Sequence, residues 1–193
     1  MISIDSLTGR IGNRMFQYAY LYSQVKEGKL PDVYVQDPKY FDHHREDIKK
    51  IYGHGIGSVP FTSVHIRRGD YVGNPFYVDL TDTDYYQKAF ALFPKEHFLV
   101  FSDDPIWASW FIQDNFKEDF ARFQLVENES DVEDMNLMAS CESNIIANSS
   151  FSWWAGYLNP NPNKVVVCPA ETSWHTDGII RTRVPSEWTQ IKV

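Results

Sequence analysis

From Phe61 onward, short apolar runs alternate with longer stretches in which apolar residues recur at helical spacing. Thr62–Ile66, Phe98–Phe101, Arg122–Val126, Asn144–Ala147 and Val165–Val167 read as strands, with Val165–Val167 the last. The intervening segments read as helices. Thr81–Phe93 carries Thr81 and Asp84 at capping-box-like spacing, and Asp104 caps the next helix with Pro105 in its first position. Ser130-Asp131-Val132-Glu133 is a capping box ahead of Met135, Leu137, Met138 and Ala139, and Ser149–Leu158 follows the fourth strand. Repeated strand–helix alternation predicts an α/β fold: a parallel sheet with helices on both faces.

The first 60 residues are less regular. Ile2–Ser6 alternates like a strand, Gly9–Asn13 reads as a turn, and Met15, Phe16, Ala19, Tyr20 and Tyr22 mark a helix running to Lys26 and closed by Gly28. Pro31, Pro38, Gly53, Gly55, Gly57 and Pro60 then break the pattern, leaving loops with one short helix near residues 43–52.

Composition narrows the function. Twenty-six acidic against 18 basic residues give a net charge of -8, which argues against nucleic acid and anionic membrane surfaces as general partners. No apolar run approaches the ~18 residues of a membrane span. Residues 1–5 lack the basic and apolar regions of a signal peptide, so the expected location is cytoplasmic. Cys141 and Cys168 suit a reducing compartment or one optional bridge.

Against this acidic background, the adjacent Arg67 and Arg68 stand out. They follow Val64-His65-Ile66 and precede Gly69-Asp70-Tyr71, at the end of a strand, where a guanidinium fork suits a diphosphate. Strand alternation puts His65 and Arg67 on one face, with Arg68 and Asp70 sharing the other and pairing at the surface. Arg68-Gly69-Asp70 also spells a cell-adhesion tripeptide. A second candidate is Asn148-Ser149-Ser150-Phe151, where serines open a helix directly after a strand and offer free N–H groups and a favourable dipole. A plain serine cap over core tryptophans is the other reading. In Ser102-Asp103-Asp104, one aspartate caps the helix and the other is free to accept from a base or ribose. Asp82-Thr83-Asp84 imitates a metal-binding Asp-x-Asp but sits in a first helical turn. His43, His44 and His54 fit no familiar metal spacing, and Asn128 and Asn148 open glycosylation sequences.

Three segments together resemble glycosyltransferase family 11, the α1,2-fucosyltransferase-like enzymes. Gly9-Arg10-Ile11-Gly12-Asn13-Arg14-Met15-Phe16-Gln17-Tyr18-Ala19 is similar to the family's N-terminal glycine-rich loop, with Arg10 and Arg14 in place of a glycine and a glutamine. His65-Ile66-Arg67-Arg68-Gly69-Asp70-Tyr71 is similar to its arginine motif, and Met138-Ala139-Ser140-Cys141 through Ile145-Ile146-Ala147-Asn148-Ser149-Ser150-Phe151-Ser152-Trp153-Trp154 to its third signature.

The resemblance implies a GT-B-like fold: a GDP-fucose-binding, Rossmann-type domain at 61–193 and an N-terminal α/β lobe, here reduced to residues 1–60. It implies inverting transfer of fucose from GDP-fucose to a glycan acceptor, with no metal and no other cofactor. Arg67 would hold the β-phosphate and His65 the guanine side, while Asp103 would meet guanine or ribose. Arg68, Asn148, Ser149, Ser150 and Phe151 would complete the donor site, and Gly12 and Asn13 would close over it. Asp70 and Asp79 are candidates for the base that takes the acceptor proton. The short first lobe raises two further expectations: a non-catalytic GDP-sugar-binding remnant as the rival function, and a homodimer as a way to complete the acceptor cleft.

Overall fold

The computed structural model describes residues 7–27, 36–127 and 130–193. The strand expected at residues 2–6, the closure at Gly28 and the sequence opened by Asn128 lie outside them. Helix α1 spans Ile11–Lys26, and a 3-10 turn at Asp42–His44 leads into α2, Arg45–Tyr52. Then β1 (Val59–Ile66), α3 (Tyr85–Ala91), β2 (Phe98–Ser102), α4 (Pro105–Asn115) and β3 (Phe123–Leu125) follow. The chain ends with α5 (Asp131–Ser140), β4 (Cys141–Ile145), α6 (Ser150–Leu158), β5 (Val166–Pro169) and β6 (Thr189–Ile191).

All six strands are parallel, in the order β3-β2-β1-β4-β5-β6. Strand order therefore reverses between β1 and β4. In open parallel sheets the ligand crevice forms at such a switch point, beyond the carboxyl ends of the strands.

Alternation along the strands sends side chains to two apolar layers. Val64, Ile66, Phe98 and Val100 meet α3 and α4 on one face through Tyr85, Tyr86, Phe90, Phe111 and Ile112. On the other face Leu99, Phe101, Val166 and Cys168 meet α1, α5 and α6. The described helices of the first 60 residues join this second layer. Phe16 of α1, Phe41 ahead of α2 and Ile48 within α2 share a cluster with Trp153 and Trp154, with ring centroids 4.5 Å apart for Phe16 and Trp153. Among the described residues, that segment adds no strand to a separate sheet, and β1 begins at Val59, ahead of the expected boundary at 60/61.

Other expectations shift. Strand β6 follows the segment expected to be last and pairs Val167 with Thr189 and Cys168 with Gln190. Its Thr189 and Gln190 are exposed, so it has no apolar run to announce it. The Thr81–Asp84 capping box does not form. Asp79 accepts the Thr81 N–H at 3.0 Å, and a 3-10 turn at Leu80–Asp82 precedes α3. The Ser130 and Asp104 caps do form, accepting from Glu133 and Trp107. Asn148 is 3% exposed, which removes its glycosylation sequence from reach. Cys141 and Cys168 are free and buried, and burial pushes both thiols up to about 12.

Candidate active site

Beyond Ile66 the chain leaves the sheet. Gly69 takes φ +41° and opens a 3-10 turn, Gly69–Tyr71, that curls Asp70 back onto Arg67 as an ion pair. Arg67 Nη1 also lies 2.6 Å from Asp103 Oδ2 at the end of β2, and its side chain is only 10% exposed. The other Asp103 oxygen accepts the Arg68 N–H at 2.8 Å. A methyl group at Gly69 would push the Asp103 carboxylate aside, and the positive φ favours glycine in its own right. Tyr71 stands with its ring 5.2 Å from the Arg67 guanidinium, and its hydroxyl donates to the Asn148 carbonyl at 2.9 Å.

That carbonyl leads into α6. Ser149 is its N-cap, accepting the Phe151 N–H at 3.3 Å, so the first turn points its remaining N–H groups toward the same crevice. His65 lies below. It is 4% exposed, with Nδ1 2.9 Å from Ser152 Oγ. Burial, and then the Arg67 charge, lower its pKa to about 3, so the ring is neutral near pH 7.

A second helix start arrives beside the first. Gly12, in the first turn of α1, comes so close to α6 that a Cβ there would sit 2.6 Å from the Ser150 carbonyl carbon and 2.7 Å from the Phe151 nitrogen. Trp154 Nε1 donates to the Gly12 carbonyl at 3.0 Å. Asn13 Oδ1 accepts from Ser150 Oγ at 2.8 Å and from Gln36 Nε2 at 2.9 Å. Thr182 Oγ1 donates to Gln36 Oε1 at 2.7 Å. Two helix N-termini and Arg67 thus converge on one cavity of about 860 Å³ at the switch point.

The far wall is aromatic. Tyr71 and Tyr77 stack at 3.9 Å and 5°, and Phe76 and His175 pack beside them at 4.6 Å. Arg181 lies 4.7 Å over Phe76 and pairs with Asp177 at 2.8 Å. Among the described residues three arginines and four aspartates line the cavity. Two of those aspartates, Asp70 and Asp103, already pair with Arg67, so any potential favouring an anion is confined to the place where the two helix starts meet that arginine.

Of the residues expected at this site, Gly12, Asn13, His65, Arg67, Asp70, Asp103, Asn148, Ser149, Ser150 and Phe151 all line the cavity. Arg68 does not. It is buried, its guanidinium 3.5 Å over the Trp107 ring, with Nη1 2.8 Å from Asp79 and 3.1 Å from Thr81 Oγ1. The expected Arg68–Asp70 pair is replaced by Arg67–Asp70 and Arg68–Asp79, because the turn at Gly69 ends the strand alternation. Asp79 is committed to Arg68 and Thr81 and does not reach the cavity. Asn148 lines the cavity, but its amide is spent on the Val78 and Trp174 carbonyls at 2.9 and 3.0 Å.

Residues 34–191 match the description of glycosyl transferase family 11. The chain belongs to this family. The match includes the arginine motif and the start of α6, and it begins after the glycine-rich loop. The O-antigen biosynthesis glycosyltransferase WbnK of Escherichia coli is 34% identical over 176 aligned residues, covering 76% of this chain and 56% of the relative. The alpha-1,2-colitosyltransferase of Escherichia coli is 30% identical over 179, covering 81% of this chain and 60% of the relative. The chain therefore spans less than two thirds of each relative's length. Among the described residues no helix is long and apolar enough to cross a membrane.

The family motifs leave part of the cavity unannounced. Gln36, Tyr77, Trp174, His175, Arg181 and Thr182 line it as well. They come from loops without periodicity, and long-range contacts bring them in, such as the Gln36–Thr182 and Tyr77–His175 bridges.

Proposed function

We propose that this chain is an inverting, metal-independent fucosyltransferase that moves L-fucose from GDP-fucose to a hydroxyl of a galactoside acceptor, with α1,2 linkage. In this reading the six-stranded sheet is the donor domain of a GT-B arrangement, and residues 1–60 are its reduced acceptor-side lobe. The observation that carries it is the convergence of Arg67 and the N-termini of α1 and α6 on one cavity at the switch point.

The chemistry follows from charge. The acceptor oxygen forms a bond to fucose C1 as the bond from C1 to the β-phosphate oxygen breaks, and the bond electrons leave with the diphosphate. Arg67, oriented by Asp70 and Asp103, meets that charge, and the first-turn N–H groups of α6 meet it from the other side. His65 and Asp103 flank the nucleoside end. Asp70 takes the acceptor proton in this assignment. Its side chain lines the cavity and is 56% exposed, whereas Asp103 is committed to the Arg68 N–H as well as to Arg67.

A transfer assay with GDP-fucose and a galactoside, with and without a chelator, tests the reading. Chelation leaves the rate unchanged, and Arg67→Ala lowers turnover roughly 100- to 1000-fold. The colitosyl group named for one relative supplies the comparison donor. The second reading, a GDP-sugar-binding protein without turnover, draws on the chain's 56% and 60% coverage of its relatives. It requires GDP binding with neither transfer nor hydrolysis. Unchanged turnover in Arg67→Ala contradicts the assigned role.

A further inference from the structure

We propose that Glu27, His43 and His44 form a zinc-binding site that staples the end of α1 to the 3-10 turn ahead of α2. Adjacent histidines fit no familiar metal spacing, and the third group lies 16 residues earlier. Folding brings them together. One ligand atom from each of the three lies within 4.8 Å of the others.

Hydrogen bonding satisfies His43 and leaves His44 wanting a partner. His43 Nε2 contacts Glu27 Oε1 and lies 3.4 Å from Ser23 Oγ. The His43 and His44 rings are 4.4 Å apart, and Tyr22 packs edge-on against His44 at 6.1 Å. His44 Nε2 is buried and has no hydrogen-bond partner. A buried imidazole nitrogen left unpaired is costly, and a coordinated cation removes that cost.

Two imidazoles and one carboxylate form a donor set for zinc. Magnesium and calcium prefer all-oxygen sites. Three protein ligands leave a fourth position for water. None of the three residues lines the cavity at the switch point, so the site stands or falls independently of the proposed transferase. Its role is structural: it ties Glu27, just beyond α1, to the segment that carries Phe41 and Ile48 into the core.

The test is calorimetric titration of the chelator-stripped full chain with zinc chloride near pH 7.5, repeated with magnesium. Thermal unfolding and cobalt(II) absorption are followed on the same samples. One equivalent of zinc binds, magnesium does not, zinc raises Tm, and cobalt gives the intense visible bands of a low-coordinate site. His43→Ala, His44→Ala and Glu27→Gln each weaken zinc at least tenfold, and His43, the more exposed of the histidine–glutamate pair, is the position where substitution disturbs the fold least. His54→Ala, outside the cluster, binds as wild type. No saturable zinc binding, or binding that survives in a folded His44→Ala or Glu27→Gln variant, overturns the proposal.

Discussion

Gly12 and Phe151 meet backbone to backbone: the Cβ that Gly12 lacks would lie 2.7 Å from the Phe151 nitrogen. This contact sets the first turn of α1 against the first turn of α6, and the Trp154-to-Gly12 hydrogen bond and the Asn13–Ser150 bond hold it there. In Gly12→Ala the added methyl meets main chain, so the helix starts must separate. Overpacking of this kind costs about 1–3 kcal/mol. Chemical denaturation should show that loss, and GDP affinity should fall with it because the two N-termini no longer face one point.

Asp103 fixes Arg67 from the neighbouring strand at 2.6 Å while also accepting the Arg68 N–H. Asp103→Asn keeps an acceptor for that N–H but removes the charge that orients the guanidinium. A hydrogen bond to a charged group is worth about 1.5–3 kcal/mol, so GDP should bind roughly tenfold or more weakly, measured by calorimetry. Wild-type affinity in this variant would show that Arg67 needs no such anchor.

Arg68 separates stability from binding. Its guanidinium stacks on Trp107 and satisfies Asp79, whose side chain is 17% exposed. Arg68→Met keeps the apolar stem and strands that carboxylate. Breaking a buried pair costs about 3–5 kcal/mol, and the partial exposure of Asp79 puts this case at the lower end. The denaturation midpoint should fall, while GDP affinity of the folded variant should stay within about twofold of wild type, since the Arg68 side chain does not line the cavity and its N–H bond to Asp103 is kept.

His65 gives the fold an acid-sensitive slope. Its pKa is lowered by burial from the ordinary histidine value of 6.5 to about 3 in the folded protein. The unfolded chain therefore binds a proton that the folded chain refuses. Stability is full above pH 6.5 and falls toward pH 3, by about 1.4 kcal/mol per pH unit for one proton. His175 is also lowered by burial and contributes in the same direction. Denaturation series between pH 4 and 7 should show a shallower slope in His65→Gln than in wild type, and equal slopes would exclude His65 as the source.

Sequence reveals this fold where the signal is local and hides it where the signal is not. The strand ending at Ile66 and the serine cap at Ser149 are both written in a few consecutive residues, and so the two sides of the cavity were legible. The direction of Arg68 was not, because it depends on Trp107 and Asp79 and on a positive φ at Gly69. The helical spacing of α1 was plain, whereas its docking on α6 depends on a glycine whose partner is more than a hundred residues away. Strand β6 and the Tyr77–His175 wall carry no periodicity, and only the folded sheet makes their places visible.

The central claim is that the Arg67 guanidinium and the opening amides of α6 grip one diphosphate. Calorimetric titration of GDP into wild type and Arg67→Ala, in the presence of a metal chelator and with UDP, ADP and CDP as comparisons, tests it most directly. The predicted result is saturable, GDP-selective binding by wild type that weakens at least tenfold in Arg67→Ala, about 1.4 kcal/mol or more. Equal GDP affinity in the two proteins, or no GDP binding by the folded wild type, would contradict it.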